Sequence, residues 1–141
     1  MATFVDTNVL LYAFASGIKG SVEKVAIAKK LVSDLIESGE IVVSTQVLNE
    51  FTSNALRKGT PPLTPFETSV IVQRLAQEEV VSTNASLIVL AIDRVQQSHI
   101  GYWDALIVEA AIRSGATILY TEDMHHGTHY GPLKLRNPFL G

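Results

Sequence analysis

MATFVDTNVLLYAF, Met1 to Phe14, decides how the rest of the chain is read. Thr3 to Val5 read as a short strand, and a helix begins near Thr7 or Asn8. Asp6 stands at the junction of the two. An aspartate there caps the helix N-terminus, which stabilises by about 1 kcal/mol. A strand that passes directly into a helix is also the opening of a βα unit, and the rest of the sequence continues in that manner.

Ile41 to Val43, Val80 with Val81, and Thr117 to Tyr120 read as further strands. Between them lie helical segments. Ser21 to Ser38 carries Val25, Ala28, Val32 and Leu35 at helical spacing. Gly39, Gly59 and Gly115 read as helix stops. Thr64-Pro65-Phe66-Glu67 combines an N-cap threonine, a proline at the first helical position and a capping-box glutamate. The breaker cluster Gly59 to Pro65 is short enough to join two helices. Strands separated by helices predict an α/β fold with a mostly parallel sheet covered on both faces. Ligands in such sheets bind beyond the carboxyl ends of the strands.

The 141 residues, 47% hydrophobic and 18% charged, predict one globular domain over 1–141 with a single core. No internal repeat, low-complexity block or dividing linker interrupts it. The chain has no cysteine, which excludes disulfides and cysteine-ligated zinc and fits a reducing cytoplasm. The uncharged stretches Thr7 to Ile18 and Val80 to Ile92 are too short and too polar to span a bilayer, and nothing at the N-terminus resembles a cleaved signal. A formal net charge of −3 argues against broad, nonspecific binding of nucleic acid.

Four carboxylates deserve separate weighing against their plain structural roles. Asp6 follows the first strand. Glu50 belongs to VSTQVLNEFTSNALRKG, a helix after the second strand, in which Val47, Leu48, Phe51 and Ala55 make an apolar face and Gln46, Glu50, Asn54 and Arg57 lie opposite or beside it. On its own Glu50 reads as a solvated surface residue. Asp104 opens DALIVEAAI, a helix apolar on nearly every side except for Glu109 and Arg113, an expected i,i+4 pair. Such a helix is buried, so an aspartate in its first turn either complements the dipole or binds something. Asp123 follows the strand TILY and shares the carboxyl edge with Asp6, with Glu122 as the competing acid.

Carboxylates gathered about 5.5 Å apart repel by about 3 kcal/mol per pair at an effective dielectric near 20. Protonation or a cation must compensate. An all-oxygen set without cysteine or an HxxxH pair favours Mg²⁺ or Mn²⁺ over zinc, and such ions take phosphate oxygens readily. Setting aside these four negative charges turns the net charge from −3 to +1 for the rest of the chain, so the barrier to a polyanion is local. Lys19, Arg57, Lys58, Arg74, Lys134 and Arg136 could meet phosphates, although each reads first as an ordinary surface charge.

FVDTNVLLYAF, VSTQVLNEF, YWDALIVEAA and ILYTEDMHHG, in that order and at these separations, resemble the PIN-domain nucleases, most closely the VapC-type toxins of type II toxin–antitoxin modules. The resemblance covers essentially the whole chain. It implies a three-layer α/β/α, Rossmann-like domain with a central, mostly parallel sheet and an acidic site that binds Mg²⁺ or Mn²⁺. It also implies endoribonuclease activity, a homodimer, and inhibition by a cognate antitoxin. Asp6 of the DTN motif, Glu50 of NEF and Asp104 of WDA match the family's catalytic, metal-binding acids. The family's last acid stands two places after a strand-ending Thr or Ser, which selects Asp123 over Glu122. Asn8 matches a polar position supporting the ligands, and Thr7 and Thr121 are expected to act likewise. The implied chemistry is metal-assisted hydrolysis of a phosphodiester, with one or two ions activating water and leaving 5′-phosphate and 3′-hydroxyl ends.

Other chemistries compete. His125, His126 and His129 could cleave RNA as paired imidazoles without metal, but they stand in a Gly-rich loop where histidine is ordinarily polar surface. Aspartate after a first strand can accept a phosphoryl group in phosphatases, whose DxD pairing would need an aspartate where this chain has Asn8. A catalytically degenerate PIN domain used only for binding is disfavoured by the presence of all four acids. Tyr102 and Trp103 could stack on bases, yet beside so apolar a helix they are expected in the core or a dimer interface. The sequence does not identify the RNA.

Overall fold

A computed structural model of the chain describes residues 1–15 and 21–140. Lys19, one of the candidate phosphate contacts, lies outside them. In chain order the elements are β1 (Thr3–Val5), α1 (Thr7–Phe14), α2 (Val22–Ser38), β2 (Ile41–Ser44), α3 (Thr45–Ala55), α4 (Pro65–Leu75), β3 (Glu79–Val81), α5 (Ala85–Ser98), α6 (Tyr102–Arg113), β4 (Ile118–Tyr120), β5 (His129–Tyr130) and β6 (Leu133–Arg136).

The strands form a six-stranded sheet in the order β3-β2-β1-β4-β6-β5. Every pairing is parallel except that of β5 with β6. Helices flank it, α1 packing on α2 and α3, and α5 on α6. Phe4, Val5, Val42, Val43, Leu119 and Leu135 fill the centre of the sheet with almost no exposure. Both faces of the inner strands are therefore covered, and their sequences run apolar without alternation.

The local stops and starts follow from side-chain chemistry. Ser21 caps α2 by accepting from Lys24 N at 3.1 Å, and Gly39 ends it in the left-handed region at φ 74°. Thr64 and Glu67 form the reciprocal capping box at α4 behind Pro65. Gly59 does not stop a helix, because α3 is already closed at Leu56 and Gly59 shapes the following loop at φ 96°.

Other expectations are also corrected. Helix α5 is not expected from the sequence, because its outward Val89 and Ile92 are as apolar as its buried Leu87 and Ala91 and so blur the helical stripe. Strands β5 and β6 are likewise unexpected. The alternation in LKLR is real, since Leu133 and Leu135 are buried while Arg136 is exposed, but a two-residue partner strand framed by Gly127 and Gly131 leaves too little pattern to read. Glu109 does not pair with Arg113 within α6. It bonds Arg94 of α5 at 2.8 Å, and Arg113 donates instead to Asn84 and Ser86, both at 3.1 Å. Burial of Glu109 on the α5 side of α6 explains the exchange, because its carboxylate there needs the cation that shares the interface.

Candidate active site

In the strand order, β1 is flanked by β2 and β4, and the chain leaves β1 toward one side and returns to the other. That reversal is a topological switch point, where open α/β sheets form a crevice at their carboxyl ends. Asp6 leaves β1 and Asp123 leaves β4, so both stand at this crevice. α3 brings Glu50 from its second turn, and α6 brings Asp104 from its first. All four acids line one cleft of about 160 Å³, together with Thr7, Asn8, Gln46, Asn54 and Trp103.

Each acid but Asp104 is held by a donor carried on a different part of the chain. Asp6 is only 6% exposed. Its Oδ1 accepts from Thr7 N at 2.7 Å, as an N-cap should, and its Oδ2 accepts from Thr121 Oγ1 at 2.8 Å. Thr7 Oγ1 in turn donates to Glu50 Oε1 at 3.0 Å. Asn8 Nδ2 donates to Asp123 Oδ2. The three residues expected to support the acids thus bond three different ones.

Electrostatics follow the packing. Burial pushes the Asp6 carboxyl up to about 6, opposed by the Thr121 and Thr7 hydrogen bonds and reinforced by the charges of Glu50 and Asp123. Asp104 is raised by burial. Asp123 is raised by burial first, then by Glu122 and Asp104, with the Asn8 bond acting in the other direction. The acids sense one another, and among the described residues no cation lines the cleft to neutralise them.

The donor set suits a hard cation. Every charged group in the cleft is a carboxylate, and the remaining polar groups are hydroxyls and amides. Among the described residues, however, no three His, Asp or Glu side chains are close enough to form a preformed cage. The two observations agree for an ion that keeps several waters: the cleft far exceeds the ~15 Å³ that one water needs, and Mg²⁺ is commonly held through one or two carboxylates and water.

Glu122 is turned elsewhere. It accepts from Tyr12 OH at 2.9 Å and pairs with Lys24 of α2, which also lies 5.4 Å from the Phe139 ring centre. Of the two neighbouring acids, Asp123 is the one in the cleft. None of His125, His126 and His129 lines it; His126 Nδ1 accepts from Asn137 N at 2.9 Å, a loop-closing bond, and His129 is in β5. Arg57 Nε is bonded to the Thr60 carbonyl at 3.2 Å and Arg74 to Glu78 at 3.1 Å, while Lys134 and Arg136 border a separate hollow beside His126.

Of the two places expected for Trp103, the core is excluded: it is 64% exposed in the first turn of α6, while Ala105 to Ala111 are buried. Its indole borders the acidic cleft. Gln46 and Asn54 also join the cleft, and their spacing of four residues on either side of Glu50 on one helix is the signal that places them there.

The PIN domain family model matches residues 3–127. Among solved structures, the chain is similar to the sarcin-ricin-loop-cleaving toxin VapC20 of Mycobacterium tuberculosis, with 17% identity, a TM-score of 0.64, and coverage of 86% of this chain and 90% of that one. It is likewise similar to VapBC2 of Rickettsia felis, solved with a DNA fragment from their promoter, with 21% identity, a TM-score of 0.66, and coverage of 97% and 98%. At such identities the likeness is one of fold. No curated protein matches the sequence.

Proposed function

The chain belongs to the PIN-domain family, and on that premise we propose that it is a metal-dependent endoribonuclease, the toxin of a toxin–antitoxin module. The observation that carries the reading is the convergence of Asp6, Glu50, Asp104 and Asp123, from four separate segments, on one cleft at the switch point of the sheet. The domain spans 1–141, acts in the cytoplasm on RNA, and is held in check by a cognate antitoxin that fills the cleft. A row of exposed apolar side chains on α5, including Val89 and Ile92, supports a homodimer.

Asp6, Asp104 and Asp123 would hold Mg²⁺ or Mn²⁺, with Glu50 completing the set or orienting the attacking water. The bound ion supplies an activated water and stabilises charge on the leaving oxygen. Asp6 keeps both oxygens fixed by Thr7 N and Thr121 Oγ1, so its carboxylate is aimed before substrate arrives. Asn8, where a DxD phosphatase would need its second aspartate, serves Asp123 instead. Glu50, held by Thr7 through one oxygen, keeps the other for a water. Since water attacks rather than the 2′-hydroxyl, products carry 5′-phosphate and 3′-hydroxyl ends.

The test is to incubate wild type and Asp104→Asn with total RNA and Mn²⁺ and to map the ends. Cleavage by wild type alone, with 5′-phosphates, is expected. Equal cleavage by both proteins, or 2′,3′-cyclic phosphate ends that persist in EDTA, would refute the assignment.

A further inference from the structure

α3 and the start of α6 enclose a second pocket, of about 580 Å³, in the size range of small-molecule sites. Gln46, Glu50 and Trp103 line both this pocket and the acidic cleft, so the two adjoin. Their walls differ in chemistry. Apart from Glu50 at the boundary the second pocket is neutral, with the amide of Asn49 and the hydroxyl of Ser53 from α3 facing Trp103 and Leu106 from α6. No cation lines it among the described residues, so it is not built to hold a phosphate.

Gln46 supplies an independent observation. It is 7% exposed, and its Nε2 donates to the Trp103 carbonyl at 3.2 Å. A carbonyl oxygen can only accept, so this bond fixes which end of the amide points where. Gln46 Oε1 is left as an acceptor, buried and without a partner. Unsatisfied buried acceptors are rare in folded proteins and need a reason. Beside it stands an exposed indole braced edge-on by Tyr102, with ring centres 5.2 Å apart.

We propose that this pocket is a nucleobase subsite: a base next to the bond held over the acidic cleft lies against the Trp103 indole, and a shift of the Gln46 side chain brings its orphaned Oε1 to the pocket surface to accept an N–H from the base. The inference rests on the ribonuclease reading and extends it to a base-binding subsite beside the acids. A stacking face with a neutral hydrogen-bonding wall takes an unpaired nucleotide, because a base in a duplex exposes neither its face nor its pairing edge. The neighbouring phosphate falls toward the carboxylates, and the base fixes its register there.

Trp103 is the chain's single tryptophan, so its fluorescence reports on the pocket directly. Wild type in EDTA is titrated with tetraribonucleotides of each base and with an abasic tetramer of the same length. Base-bearing tetramers quench the emission, with a preference among bases, and the abasic tetramer does not. By anisotropy of a labelled tetramer, Trp103→Ala weakens binding about 5- to 150-fold and Trp103→Phe restores most of it. Gln46→Leu flattens the base preference more than it weakens binding. Equal binding of the abasic tetramer, or an unchanged affinity in Trp103→Ala, overturns the proposal. So does an emission that responds to protein concentration but not to RNA, which assigns the pocket to a second copy of the chain. Because quenching is read without metal, cleavage without base-dependent quenching sinks the subsite alone, and base-dependent quenching without cleavage sinks the nuclease reading alone.

Discussion

Replacing Asp6 with asparagine should make the metal-free protein more stable, not less. The Asp6 carboxyl is raised from 3.8 to about 6, chiefly by burial. A raised acid binds its proton more tightly in the folded chain than in the unfolded one, so its contribution is complete below about pH 4 and lost as pH rises through about 6. That rise, from 3.8 to about 6, corresponds to about 3 kcal/mol of destabilisation at pH 7.5. Asparagine removes the charge and keeps the shape. Its oxygen can still accept from Thr7 N, and its amide can donate to Thr121 Oγ1, since a hydroxyl accepts as well as donates. Allowing about 1 kcal/mol for the weaker cap and altered bond leaves a gain of about 2 kcal/mol. For a domain of this size that raises Tm by about 4–8 °C. The assay is thermal unfolding in EDTA at pH 7.5 and at pH 4, then with Mn²⁺. The gain should vanish at pH 4, where wild type is already protonated. Saturating Mn²⁺ at about a hundred times its Kd adds about 2.7 kcal/mol to wild type and much less to Asp6→Asn, closing the gap. A variant less stable than wild type in EDTA at pH 7.5, or an offset that is the same at both pH values, would refute the reasoning.

Glu122→Gln should retain most Mn²⁺-dependent cleavage and lose at most about 1 kcal/mol of stability, because its pair with Lys24 is partly exposed and lies outside the cleft, whereas Asp123→Asn should lose cleavage by about a hundredfold or more. Comparable losses of activity in the two variants would mean the fourth acid is wrongly chosen. On the proposed homodimer, wild type should sediment as a dimer and a Val89→Glu, Ile92→Glu double variant as a monomer at the same concentration, since charge would be placed in the exposed apolar row of α5. An unaltered dimer would move the interface to another face.

The legible part of this molecule was what local chemistry writes into few residues. A strand-to-helix junction at Val5 and Thr7, a capping box at Thr64 and a left-handed stop at Gly39 each need only a handful of neighbours, and all three stand as expected. The four acids could be set on helices and strand ends, and parallel topology placed the strand ends at one edge. Pairing choices were not legible. Glu109 had a suitable arginine four residues on, and Arg94 took it only because α5 and α6 pack together. Trp103, expected in the core or a dimer interface because its helix is apolar, is excluded from the core by its position in the first turn, and that depends on how α6 packs on the rest of the domain. Gln46 was seen on the face of Glu50, but its unpaired oxygen arises from the Trp103 carbonyl 57 residues away.

The way the acids are held explains how a fold can keep them together at all. Thr7 and Asn8 follow Asp6 in sequence, yet they serve Glu50 and Asp123; Thr121, two residues before Asp123, serves Asp6. The side chains beyond each strand end therefore clasp a carboxylate delivered by another segment. Hydrogen bonds to charged acceptors contribute about 1.5–3 kcal/mol each, comparable to the repulsion of about 3 kcal/mol between neighbouring carboxylates. The clasp offsets the repulsion, and what keeps Asp6 near 6 is chiefly its burial, with the charges of Glu50 and Asp123 adding to it. Asp104 has no such donor among the described side-chain bonds, so it is the acid whose charge is left to a ligand. A cation or an antitoxin side chain of positive charge would complete the same balance, which is why both are expected to stabilise the domain as well as to switch its activity.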